Sequence, residues 1–225
     1  MDISAIDDAP LFAGIDPVER TELLAATTNT HLVRGDVLFR QGDIGDTFYI
    51  IGDGKMKLGR RAPDGRESLI AILGPGEMIG ELTLFDPGPR TATAVAVSDT
   101  DLSALSHFQL ASWIRAHPAM ATHLLSAMAH RLRRTNEVIG DLVFCDVPGR
   151  VARTILDLSQ RFGVPEGTGI YVRHDLTQEE LAQLVGASRE TVNKALSGFA
   201  QRGWIRLDGR ALSVTDPERL RRRAK

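Results

Sequence analysis

Between about Val33 and Leu105 the apolar positions come in short runs punctuated by glycine. Val37-Leu38-Phe39, Thr47-Phe48-Tyr49-Ile50-Ile51, Lys55-Met56-Lys57-Leu58, Leu69-Ile70-Ala71-Ile72-Leu73, Thr93-Ala94-Val95-Ala96-Val97 and Leu102-Ser103-Ala104-Leu105 each read as a strand. Gly35-Asp36, Gly42-Asp43, Gly52-Asp53-Gly54, Asp64-Gly65 and Gly74-Pro75-Gly76 fall between them as turns. Strands this short and this evenly spaced predict an antiparallel sandwich or roll, preceded by a helix over roughly Pro17 to Ala26.

Helical spacing then takes over. One segment covers His107 to Arg115, and Pro118 opens a long helix reaching about Phe144. Within it Ala121, Leu125, Met128, Leu132, Thr135, Ile139 and Leu142 follow steps of four and three. That is a heptad seam suited to a two-helix contact between copies, although spacing alone also fits a helix packed on its own domain. A polar Thr135 beside Asn136 near such a seam calls for a partner or a ligand. Asp146-Val147-Pro148-Gly149 ends the helix and reads as a hinge. A helix (Arg150 to Phe162), a loop rich in glycine and proline (Gly163 to Gly169), a strand near Ile170-Tyr171-Val172 and two further helices follow. The chain then forms a hairpin at Asp208-Gly209 and finishes in a basic tail, Arg219 to Lys225, read as a solvated helix end or a phosphate contact.

The two later helices carry the strongest motif. Thr177-Gln178-Glu179-Glu180 is a capping box. Leu181, Leu184 and Val185 form one face, with a small Ala182 at a helix crossing and Gly186 where the chain reverses. Ser188 caps the second helix, which buries Val192, Leu196 and Phe199 and runs to about Gln201. Its first turns expose Ser188, Arg189, Glu190, Thr191, Asn193 and Lys194. In a helix-turn-helix these residues point at base edges in the major groove. Arginine can fork onto guanine, glutamate can accept from cytosine, and the others serve bases or phosphates. The hairpin makes the module a winged one.

Charge agrees with this division. Residues 1–146 hold 13 Lys+Arg and 20 Asp+Glu, net −7, whereas residues 147–225 hold 14 and 9, net +5. A chance asymmetry would look the same, but beside the motif it suits a polyanion partner for the second half. The single cysteine, Cys145, excludes disulfides and four-thiolate clusters within a chain and reads as a buried structural thiol. Of six histidines none falls in an axial-ligand pattern, and each reads as a surface or interface residue. No metal-ligand cluster, Walker loop or nucleophile elbow is present, so no catalytic residue is assigned. Lacking an apolar span and a basic-then-apolar leader, the chain is expected in the cytoplasm.

The string Ile79 to Ala94 (IGELTLFDPGPRTATA) makes sense as an anion cradle: Gly80 admits backbone amides, Arg90 brings a permanent charge, and Thr91 adds a hydroxyl. Glu81 would repel phosphate but suits a ribose hydroxyl. Together with DLTQEELAQLVGASRETVNKAL and DVPGR (Asp146 to Arg150), this string resembles the cAMP receptor protein/FNR family across nearly the whole chain, especially its actinobacterial cAMP-receptor-type members. The resemblance implies an α+β fold. It has an N-terminal cyclic-nucleotide-binding β-roll (1–116), a central dimerisation helix (117–145) and a C-terminal winged helix-turn-helix (146–225).

It further implies a homodimer joined through residues 121–142 and regulated by cAMP. Gly80, Glu81, Arg90 and Thr91 would hold ribose and phosphate, with Thr135 and Asn136 taking adenine. Asn136 stands where the enterobacterial members have serine, and Arg131 aligns with a helix arginine near the ligand. Ser188, Arg189, Glu190, Thr191 and Lys194 would read double-stranded DNA, a TGTGA-like palindrome. RNA polymerase would meet the loop from Arg161 to Gly169. A non-cAMP effector, or DNA binding without one, is the alternative.

Overall fold

The structure, a computed structural model, describes residues 16–225. Two compact units divide it, Met1–Arg133 and Arg134–Lys225.

In the first unit α1 (Pro17–Ala25) begins where the Asp16 carboxylate accepts the Val18 N–H at 2.8 Å. Eight strands follow: β1 (Thr28–Leu32), β2 (Val37–Phe39), β3 (Thr47–Asp53), β4 (Met56–Arg61), β5 (Glu67–Leu73), β6 (Met78–Ile79), β7 (Thr93–Ala96) and β8 (Thr100–Ser106). They form two antiparallel sheets, ordered β1-β8-β3-β6 and β2-β7-β4-β5. All six expected strands are there. β1 and β6 were not foreseen: Thr28-Asn29-Thr30 carries no apolar signal, and β6 is only two residues long.

Ile51, Met56, Leu58, Leu73, Ile79, Ala94 and Leu102 make the roll's inner core. Small residues on β7 (Ala94, Ala96) let the sheets approach closely. Gly54 is obligatory where β3 turns into β4: its φ is +83°, and a Cβ there would overlap the Asp99 carbonyl.

Ser106 starts α3 (His107–Ala116) with a capping box to Gln109. α4 (Ala119–Phe144) follows Pro118. A second core joins Leu23, Phe48, Ile50, Leu105 and Leu110 to Met120 and Leu124 of α4. The helix therefore has two kinds of apolar position. Met120, Leu124 and, half-buried, Met128 pack on the roll, whereas Leu125 and Leu132 are 69% and 61% exposed.

In the second unit α5 (Val147–Phe162) opens on an Asp146 cap that accepts the Gly149 N–H at 2.9 Å. The expected hinge shrinks accordingly. Val147, Pro148 and Gly149 are the helix's first turn, because Pro at its start loses no hydrogen bond, and the break is Cys145-Asp146 alone. The expected loop from Gly163 is partly a strand, since β9 (Gly163–Glu166) pairs with β10 (Gly169–Arg173). α6 (Gln178–Val185), α7 (Arg189–Gln201), β11 (Ile205–Asp208), β12 (Ala211–Val214) and α8 (Pro217–Arg223) complete the chain. The sheet order is β11-β12-β10-β9. Val151, Ile155, Leu158, Leu181, Val192, Leu196, Phe199 and Leu220 are buried together under it, with Phe199 stacked on Trp204 at 5.4 Å.

Candidate nucleotide cradle and DNA-reading helix

Both proposed chemistries rest on short sequence strings. After β6 the chain bends at Gly80 (φ +83°), passes Glu81 and makes one turn of helix, α2 (Leu82–Phe85). Glu81 is only 1% exposed. Such a carboxylate needs a cation, and Arg131 of α4 supplies one, Nη1 lying 2.6 Å from Oε1. Arg90 returns beside Gly80. Its Nη1 donates to the Gly80 carbonyl (2.9 Å) and Thr83 Oγ1 (3.1 Å), and its Nη2 to the Thr47 carbonyl (2.5 Å). The guanidinium also covers the Phe39 ring at 4.3 Å.

Burial pushes the Arg90 guanidinium below its ordinary range, opposed by Tyr49, Asp46, Glu81 and Asp43. Its Nε is buried and has no hydrogen-bond partner among the described residues. A buried cation with an unspent donor, beside a glycine bend, fits an anionic group. The cradle is nearly closed in this conformation. Phe39, Gly80, Glu81, Arg90, Thr91 and Ala92 help line a cavity of about 30 Å³, whereas small-molecule sites measure ~300 Å³ or more.

Gly80, Glu81, Arg90 and Thr91 thus lie together, with Thr91 exposed at the rim. Thr135 and Asn136 are exposed on α4, a turn beyond Arg131. Thr47, Thr83, Phe39 and Gly45 also shape the cradle. A Cβ on Gly45 would run into the Arg90 guanidinium. Thr83 could have been read from its place within the cassette string, but the other three come from distant strands and loops and carry no local mark.

At the second site, Thr177 and Glu180 form their capping box, the Glu180 N–H donating to Thr177 Oγ1 at 3.2 Å and the Thr177 N–H to Glu180 Oε2 at 2.7 Å. Gly186 takes the left-handed conformation (φ +70°) that the turn requires, and Ala182 is 1% exposed at the crossing. Ser188 Oγ accepts the Thr191 N–H at 3.3 Å and lies 2.9 Å from Thr191 Oγ1, so both residues serve the cap. Arg189, Glu190 and Lys194 are exposed, and Asn193 is half-buried. In the wing Asp208 pairs with Ala211, leaving Gly209 and Arg210 as the turn rather than Asp208-Gly209.

Two single-residue expectations are corrected. His174 is buried (3% exposed), its Nδ1 accepting the Leu176 N–H. It sits beside Asp175, whose φ of +60° turns the chain from β10 into the capping box. Cys145 is half-exposed rather than buried, because it lies in the two-residue break between α4 and α5. Among the described residues no group of His, Cys, Asp and Glu could hold a metal ion, and no helix is long and apolar enough to cross a membrane.

A roll with an arginine-bearing anion cradle, followed by a winged helix-turn-helix, defines a ligand-sensing DNA-binding architecture. Residues 29–117 match the family model of the cyclic nucleotide-binding domain, and residues 149–223 that of the Crp-like helix-turn-helix domain. The chain is 52% identical over 217 residues to the CRP-like cAMP-activated global transcriptional regulator of Mycobacterium tuberculosis, covering 96% of this chain and 97% of that one. The solved catabolite activator protein of Thermus thermophilus is 36% identical, with TM-score 0.56 over 96% of this chain and 98% of its own. The c-di-GMP responsive global regulator CLP of Xanthomonas campestris is 26% identical, with TM-score 0.72 over 88% and 99%. The chain belongs to the cAMP receptor protein/FNR family of transcription regulators, which are DNA-binding proteins and not enzymes.

Proposed function

We propose that this protein is a cytoplasmic, cAMP-responsive global regulator that binds a TGTGA-like palindrome as a homodimer. The observation that carries this reading is the buried Arg90, with its unspent Nε, beside Gly80 and Glu81 in a cyclic nucleotide-binding roll. Arg90 and Thr91 hold the cyclic phosphate at the Gly80 bend, and Glu81, oriented by Arg131, accepts from the ribose hydroxyl. Thr135 and Asn136 take the adenine edge; a hydroxyl and an amide both donate and accept. Residues 1–116 form the sensing domain, 117–145 the dimer helix and 146–225 the reading domain.

The apolar positions of α4 left open, Leu125, Leu132, Ile139 and Leu142, supply the dimer seam. Pairing there sets two copies of α7 one DNA turn apart, ~34 Å, on a palindrome. Arg189, Glu190 and Lys194 face base edges, while Ser188 and Thr191 serve phosphates besides capping the helix. The segment from Arg161 to Gly169 is the RNA polymerase contact.

Binding can shift the molecule only by the difference in effector affinity between its two arrangements. Calorimetry with cAMP, cGMP and c-di-GMP, then operator titration with and without each, tests the reading. Tight binding of cAMP and at least tenfold stronger operator binding in its presence are expected. Operator affinity unchanged by cAMP would reject it as effector, and a response to c-di-GMP alone would assign the protein to that messenger.

A further inference from the structure

α4 and α5 are joined through Cys145 and Asp146, a link whose soft backbone dihedrals can absorb a rotation. Side chains cross it. Arg134 Nη2 of α4 lies 2.5 Å from Asp157 Oδ2 of α5, and Arg153 of α5 pairs back onto Asp141 of α4. Arg134 immediately precedes Thr135 and Asn136, the proposed adenine contacts. Asp157 stands on the helix that packs directly against α7, the reading helix.

We propose that Arg134 and Asp157 are a positioning pair that couples effector binding to DNA binding, an inference that rests on the function proposed above. Movement of the Thr135-Asn136 segment can turn α5, and with it α7, only if a second tie supplements the peptide link, since coupling needs a physically connected element with two arrangements. The planar guanidinium fork of Arg134 supplies an oriented tie. The pair is also poorly suited to a mainly structural role. Its side chains are 41% and 39% exposed, where ion pairs contribute little to folding. Asp157 keeps a second cation, Arg161, at 3.5 Å when Arg134 is removed.

The pair restrains the arrangement in which the operator is bound weakly. Arg134→Gln, Asp157→Asn, the double variant and the conservative Asp157→Glu are compared with the full-length wild type. Fluorescence anisotropy measures operator affinity with and without saturating cAMP, and the ratio of the two is the coupling factor.

In each single neutral variant the factor is expected to fall about threefold to fivefold, the scale such a pair supplies, chiefly by stronger binding without cAMP. The double variant falls by less than the two single variants combined, because the ion pair they share is lost in each of them. Asp157→Glu keeps the wild-type factor, and the unfolding midpoints stay close to wild type. A factor unchanged within twofold in both single variants overturns the proposal. Affinity that falls equally in both states also overturns it, as the mark of a structural role. A wild type whose operator affinity ignores cAMP overturns the effector reading itself, and the pair's role with it.

Discussion

Neutralising the two ends of the Glu81–Arg131 pair should have unequal consequences. The Glu81 carboxylate is 2% exposed and Arg131 35%, so one partner is stripped of water and the other is not. Glu81→Gln removes the buried charge and one charge-assisted hydrogen bond, worth about 1.5–3 kcal/mol. Part of this returns, because no carboxylate has to be desolvated and Arg131 can turn toward solvent. The net cost is about 1–2 kcal/mol. Arg131→Met instead leaves the carboxylate buried without its cation, a situation that costs about 3–5 kcal/mol.

The double variant should lie closer to Glu81→Gln, since a neutral amide no longer needs the arginine. Urea unfolding, followed through Trp113 in a Trp204→Phe background, reports on the first unit, because Trp113 packs on the core that Leu110 and Met120 share. If Glu81→Gln proved as damaging as Arg131→Met, the claim that burial asymmetry governs this pair would fail.

At the reading helix, Arg189→Ala should weaken operator binding by about 1–3 kcal/mol and relax one base position. Competition assays with base-substituted operators check this, and an equal loss on random DNA would make Arg189 a phosphate contact. Leu132→Glu places a charge on the open apolar face of α4, so light scattering at one concentration should show a dimer for the wild type and a monomer for the variant. A variant still dimeric would move the interface elsewhere.

The Asp146 carboxyl is held below its ordinary value of 3.8, first by the Arg223 guanidinium and then by the Gly149 N–H. A lowered carboxylate pKa contributes stability above the ordinary value and loses it as pH falls through the lowered one. Arg223→Ala should therefore cost up to about 1 kcal/mol near neutral pH, the Asp146 carboxylate being largely exposed. The gap to wild type should narrow as pH falls through that lowered range, and denaturation at a series of pH values would contradict the assignment if the gap stayed constant in acid.

Local chemistry made much of the molecule legible. Short apolar runs between glycine turns gave six strands of the roll, because a buried pleat imposes apolar character on its own residues. Capping residues gave the starts of α6 and α7, since Thr177, Glu180 and Ser188 satisfy amides within three positions of themselves. Gly186 was readable for the same reason: left-handed backbone is a property of one residue. β1 escaped because Thr28-Asn29-Thr30 becomes a strand only through β8, which is distant in sequence. The first turn of α5 escaped because the proline and glycine at Pro148-Gly149 also suit a hinge, and only the capped amide at Gly149 decides between them.

The cradle divides along the same line. Gly80, Glu81, Arg90 and Thr91 share one stretch, and their residue types alone suggest an anion and a hydroxyl. That Glu81 is the buried end of an ion pair, and that Arg90 is folded onto the Thr47 and Gly80 carbonyls, depends on segments brought together from across the chain. The sequence by itself determined most of the elements and their caps, because those follow from periodicity and from hydrogen bonds within a few residues. Only the tertiary structure decided which face of α4 packs on the roll, which arginine holds Glu81 and which pairs bridge Cys145-Asp146. Burial and charge pairing are properties of the packed chain, fixed by residues that local sequence does not relate.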